Sequence, residues 1–82
     1  MKVLKFEASW CGPCKMLSKT IESVRDQIGI EIEEIDIDQQ PELATQYHVR
    51  GVPTLIVLGD TGNELKRKSG AMTGPQLLEF LA

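Results

Sequence analysis

Between Ala8 and Leu17 the hydrophobic period of this chain switches from two to about 3.6, and two cysteines stand at the junction. Before the switch, Leu4, Phe6 and Ala8 alternate with Val3, Lys5 and Glu7, the pattern of a strand. After it, Leu17, Ile21, Val24 and Ile28 recur at steps of four, three and four, which is one face of a helix running from about Cys11 to Ile28. Pro13 suits the first turn of that helix, where its missing N–H would have had no partner, and Gly29 supplies a stop. A strand that feeds straight into an amphipathic helix must bury both apolar faces, which calls for a layered α/β fold.

The rest of the chain extends this alternation. Ile30 to Ile37 is rich in isoleucine and predicts a strand buried in the sheet. Gln39-Gln40-Pro41 opens a short helix with Leu43, Ala44 and Tyr47 turned inward and His48 at its C-terminal turn. Val52-Pro53-Thr54 leads into the apolar strand Leu55 to Leu58. Gly59-Asp60-Thr61-Gly62-Asn63 is a turn cluster, after which Glu64 to Ser69 returns antiparallel. Thr73-Gly74-Pro75-Gln76 has the form of a capping box before a last helix carrying Leu77, Leu78 and Leu81. The expected order is β-α-β-α-β-β-α: a parallel strand pair first, then an antiparallel edge.

Eighty-two residues are expected to form one domain, residues 1–82, with a modest core. The net charge of −3 comes without a basic cluster, which argues against a nucleic-acid surface. The one basic run, Lys66-Arg67-Lys68, would be split between the two faces of a strand. The sequence opens Met1-Lys2 and enters a strand at once, with neither an apolar leader nor a membrane-length segment, so a cytoplasmic location is the expectation. Two cysteines in a single Cys-x-x-Cys do not make a secreted disulfide framework.

The chemistry concentrates in Trp10-Cys11-Gly12-Pro13-Cys14-Lys15. A thiolate, not a thiol, attacks a disulfide, and the free N–H groups of a helix N-terminus favour negative charge. Cys11 stands where its thiolate gains that help, and Cys14 lies one turn on, near enough to close a ring with it. The competing reading is half of a zinc site. Structural zinc usually takes four ligands, whereas this chain has two cysteines and one histidine.

Ala8-Ser9-Trp10-Cys11-Gly12-Pro13-Cys14-Lys15 resembles the active-site motif of thioredoxins. Asp36-Ile37-Asp38, Tyr47, Arg50-Gly51-Val52-Pro53-Thr54 and Gly70-Ala71 follow in the family's order. The resemblance implies a minimal thioredoxin fold, with a four-stranded mixed sheet flanked by three helices. It also implies a protein-disulfide reductase working through a Cys11/Cys14 dithiol–disulfide cycle, with a mixed disulfide at Cys11. It implies a cis Val52-Pro53 bond beside the sulfurs and a docking surface of Trp10, Gly12, Pro13, Gly51, Val52, Pro53, Gly70 and Ala71. No bound cofactor or metal is implied. Electrons would come from an NADPH-dependent thioredoxin reductase, and the substrates would be disulfide proteins such as a ribonucleotide reductase. The family's usual state is a monomer.

The sequence departs from the family at three places. The usual first strand and helix are missing, so the element count is that of glutaredoxins. One face of the sheet is then expected to be less well covered, in keeping with the polar residues of the first strand. Lys5 replaces the Asp that thioredoxins bury six residues before the first cysteine, and Glu34 stands where many members have Lys. The family's charged pair would survive with its signs exchanged as a tuning pair, or Lys5 and Glu7 would simply lie on the half-uncovered face. His48 occupies a position where Gly is common at a helix end, and His tolerates positive φ there. Two other functions stay open at this stage: a glutathione-coupled, glutaredoxin-like reductase, and a non-catalytic interaction subunit of a larger assembly such as a polymerase. Against the first, Gly-Pro lies between the cysteines rather than Pro-Tyr.

Overall fold

A computed structural model describes residues 1–82. The elements in chain order are β1 (Lys2–Glu7), α1 (Gly12–Ser23), β2 (Glu31–Asp36), α2 (Pro41–Gln46), β3 (Thr54–Leu58), β4 (Glu64–Ser69) and α3 (Gly74–Leu81), with one 3₁₀ turn at Arg25–Gln27. The order of strands across the sheet is β2-β1-β3-β4. β1 pairs parallel with β2 and antiparallel with β3, and β4 closes the antiparallel edge. This is the α/β architecture expected from the alternating periods.

Parity along β1 divides the core in two. Val3, with Leu55 and Val57 of β3, packs beneath Leu17 and Ile21 of α1 and Leu77 of α3, and Met72 closes that cluster. Leu4 and Phe6 point the other way, with Ile35, Ile56 and Leu58, and are covered by Leu43 and Ala44 of α2, by Tyr47 at its C-cap and by Val49 and Val52. Two helices thus protect one face of the sheet and a single short helix the other.

Three expectations are corrected. β2 is an edge strand rather than a buried one, and only Ile35 is fully covered. Glu31, Glu33 and Glu34 keep that edge in water, and Lys2 reaches across to pair with Glu33. Lys5 and Glu7 do not lie on the thinly covered face. They share the parity of Val3, which places them on the two-helix face, and Lys5 is only 1% exposed. Finally, the long helix ends at Ser23 instead of Ile28. Ser23 turns its hydroxyl back to the Thr20 carbonyl and Val24 leaves helical geometry at φ −121°, yet Val24 and Ile28 still pack on the core.

Candidate active site

The junction between β1 and α1 builds the site. Cys11 is the N-cap of α1, with extended backbone, and its N–H is held by the Ala8 carbonyl at 3.1 Å. Its sulfur accepts the Cys14 N–H at 3.1 Å, the place a serine or aspartate oxygen takes in an ordinary cap. Pro13 fits because its position in the first turn asks for no N–H. Cys11 and Cys14 are joined as a disulfide with Cα atoms 5.2 Å apart, so this is the oxidised form. Both sulfurs belong to a small buried cluster with Ala8, against which Val52 and Ile37 pack.

A second loop closes over the pair. The Val52-Pro53 peptide is cis, as the resemblance implied, and the Val52 carbonyl oxygen lies 3.7 Å from Cys11 Sγ. A disulfide sulfur carries no proton, so that approach is a contact and not a hydrogen bond. Thr54 fixes the loop by donating its hydroxyl to the Gly51 carbonyl at 2.7 Å, and the Gly70 N–H donates to the Pro53 carbonyl at 2.9 Å. Gly70 has φ +94°, a conformation that favours glycine, and it brings Ala71 to the same rim. Gly12 and Gly51 both face open space, where an added Cβ would meet nothing within 4 Å.

Trp10 is 67% exposed beside this rim rather than part of the core. Its indole Nε1 donates to Asp38 Oδ2 at 2.9 Å, and Asp38 is itself set by a turn in which its N–H donates to Asp36 Oδ1 at 2.8 Å. Trp10, Gly12, Pro13, Gly51, Val52, Pro53, Gly70 and Ala71 therefore lie on the β1–α1 junction and the loops that abut it. His48, by contrast, follows the end of α2 with φ +55°. No group of three His, Cys, Asp or Glu side chains converges in a way that could hold a metal ion.

Lys5 lies beneath α1 and donates to Glu7 Oε1, to Ser18 Oγ and, at 3.5 Å, to Glu34 Oε2. The pairing of Lys5 with Glu34 follows from the β1–β2 register, which sets the two residues opposite one another. Glu34 is the distant and largely exposed partner, however, and Glu7 and Ser18 are the close ones. Sequence reasoning set Glu7 beside Lys5 on the strand but did not pair them, and it did not reach Ser18, because which helix covers that face is fixed only by the fold. Glu7 shares Lys5's face of the strand, and Ser18 lies four residues beyond Cys14 on one face of the helix.

A redox-capable Cys-x-x-Cys capping a helix against a cis-proline loop defines a thiol–disulfide exchange protein on a thioredoxin fold. The comparisons agree. The thioredoxin family model matches residues 1–82, and the chain belongs to that family. It is 41% identical over 70 residues to the SPbeta prophage-derived thioredoxin-like protein YosR of Bacillus subtilis, covering 85% of this chain and 82% of that protein. It is 37% identical over 81 residues to a thioredoxin of Chlamydia trachomatis, covering 98% and 78%. Among solved structures, a mutant thioredoxin from Halobacterium salinarum superimposes with a TM-score of 0.87 at 35% identity, over 96% of this chain and 69% of that one. Fasciola hepatica thioredoxin gives 0.85 at 36%, over 96% and 75%. The protein is a thiol–disulfide oxidoreductase acting on protein disulfides.

Proposed function

We propose that Cys11 is the attacking sulfur and Cys14 the resolving one in an electron-transport cycle recharged by an NADPH-dependent thioredoxin reductase. The observation that carries this reading is the N-cap position of Cys11, where the Cys14 N–H already points at its sulfur. In the reduced protein the same N–H and the helix dipole stabilise negative charge on Cys11. The thiolate adds to a substrate disulfide and expels one substrate thiolate. Cys14 then attacks Cys11 and releases the second substrate thiolate, leaving the protein oxidised. The short Cys11–Cys14 loop makes that second attack intramolecular and hence fast.

An extended substrate segment would lie across Trp10 and the Gly51-Val52-Pro53 and Gly70-Ala71 loops, with the free backbone of Val52 offered as for an added strand. The openness around Gly12 and Gly51 supports such an approach. We place this activity in the cytoplasm, on a monomer, with disulfide-forming enzymes such as a ribonucleotide reductase among its substrates. No helix of the structure is long and apolar enough to cross a membrane.

The test is insulin reduction followed by NADPH consumption, with thioredoxin reductase or with glutathione plus glutathione reductase as the electron source. Turnover with thioredoxin reductase is expected, and Cys11→Ser should abolish it. Turnover only with glutathione would overturn the proposed electron source.

A further inference from the structure

Cys14 is 3% exposed, yet as a resolving thiol it must lose its proton before it can attack. Its surroundings limit where that proton can go. A cleft of about 190 Å³ reaches Cys14 and is lined by Glu7, Ala8, Ser9, Cys14, Lys15, Ser18 and Asp36. The only carboxylates on it are Glu7, from β1, and Asp36, from β2. Asp36 already accepts the Asp38 N–H in the turn that follows β2. Glu7 is held differently. Its Oε1 is bound by the ammonium of Lys5, a side chain almost wholly withdrawn from water and itself steadied by Ser18.

We propose that Glu7 is the proton acceptor for Cys14, and that the buried Lys5 is a positioning residue that keeps the Glu7 carboxylate on this cleft. The inference rests on Cys14 being the resolving sulfur. In the step, the Cys14 S–H proton passes to Glu7, directly or through one water, for which the cleft has room. The Cys14 sulfur then forms its bond to Cys11 Sγ. The bond from Cys11 to the substrate sulfur breaks, and the electron pair leaves with that sulfur as a thiolate. Atoms and charge balance without any further reactant.

The arrangement explains why a lysine is buried on a strand facing a helix. Burying an ammonium is costly unless it is paired and hydrogen-bonded, and Lys5 has three acceptors: Glu7, Ser18 and Glu34. Two of these, Glu7 and Ser18, also line the cleft at Cys14. Glu34 opens onto a neighbouring cleft together with Lys5, Ser18, Glu22 and Arg25, away from the sulfur. The other charged group on the cleft is Lys15 of α1, a cation that favours a thiolate and has no acceptor to offer its proton.

The two sulfur steps separate when the reduced protein meets one equivalent of a chromogenic aromatic disulfide, dithiobisnitrobenzoate, in a stopped-flow instrument. The first thionitrobenzoate released reports attack by the nucleophile, and the second reports resolution. Glu7→Gln, an isosteric change at a residue 27% exposed, is expected to leave the first phase unaltered. It should slow the second about a hundredfold near pH 7, the lower end of general-base effects of about 10²–10⁴. The two proteins should converge as the pH rises and the thiol ionises without a base. Lys5→Met should slow the second phase by less than Glu7→Gln, since the carboxylate remains but is untethered. Equal slowing at every pH would indicate a merely structural effect and overturn the proposal. So would an unchanged second phase in Glu7→Gln, or a larger loss in Asp36→Asn. Cys11→Ser and Cys14→Ser separate this from the underlying reading. If the first release survives in Cys11→Ser and disappears in Cys14→Ser, the nucleophile has been misassigned, whatever Glu7 does.

Discussion

Glu64 and Arg67 show how a single residue pair on the exposed strand affects the molecule. Arg67 Nε donates to Glu64 Oε2 and its Nη2 to Oε1, both at 2.7 Å, which is the bidentate geometry that makes such pairs strong. The Arg67 hydrogen bonds, and then its charge, hold the Glu64 carboxyl below its ordinary value of 4.5. A carboxyl with a depressed native value binds its proton later in the folded chain than in the unfolded one. Its contribution is therefore complete above about pH 4.5 and disappears as the pH falls through the lower native value. Both side chains are about one-third exposed, so the pair contributes only about 0.5 kcal/mol. Glu64→Gln should lower stability by that amount at pH 7, with the gap to wild type closing below about pH 4.5. Urea midpoints at a series of pH values would measure it. A gap that persisted at pH 3 would mean that the carboxylate charge is not the source.

At the level of elements, α3 depends on its N-cap. Thr73 Oγ1 accepts the Gln76 N–H at 3.3 Å, and the Gln76 side chain returns to the Thr73 N–H at 2.9 Å. The helix has only eight residues, so two satisfied N-terminal donors are a large part of its order. Thr73→Ala should cost about 1 kcal/mol, read as a lower urea midpoint at constant slope. This capping box could be seen in the sequence, because its signal is local. The same holds for α2, for the left-handed His48 and for the turn between β3 and β4, where each signal lies within a few residues. What escaped were features fixed by neighbours distant in the chain. An isoleucine-rich run reads alike at the edge and at the centre of a sheet, so the place of β2 was invisible until its pairing was known. Lys5 misled for a related reason: its strand parity was plain, but which face α1 and α3 would cover was not. The cysteine junction was legible in full because the strand, the cap and the helix are contiguous. The Glu7 and Ser18 contacts with Lys5 needed the fold.

The whole molecule is protected unevenly. Leu17 and Ile21 of α1 and Leu77 of α3 are fully buried on one face of the sheet, whereas α2 contributes no fully buried side chain to the other. α2 has six residues, too few to be stable alone, so its order depends on Leu43, Ala44 and Tyr47 resting on Phe6 and its neighbours. Its loss would expose far less apolar surface than the loss of α1, and opening free energy scales with the contacts surrendered. Native-state hydrogen exchange should therefore show the amides of Leu43, Tyr47 and Val49, which bond within and just after α2, opening about 1–3 kcal/mol more easily than the central amides of β1 and β3. Exchange of all these amides at one common free energy would show instead that the single-helix face is no weaker. The expected asymmetry has a functional reading. Cys11 and Cys14 are carried by α1, on the firmly held side, while the Val52-Pro53 loop follows α2 on the looser one. On the proposed reading, a substrate segment laid along Val52 would meet a fixed Cys11 and an adjustable wall. Partial opening of α2 would then widen the docking surface without moving the sulfurs.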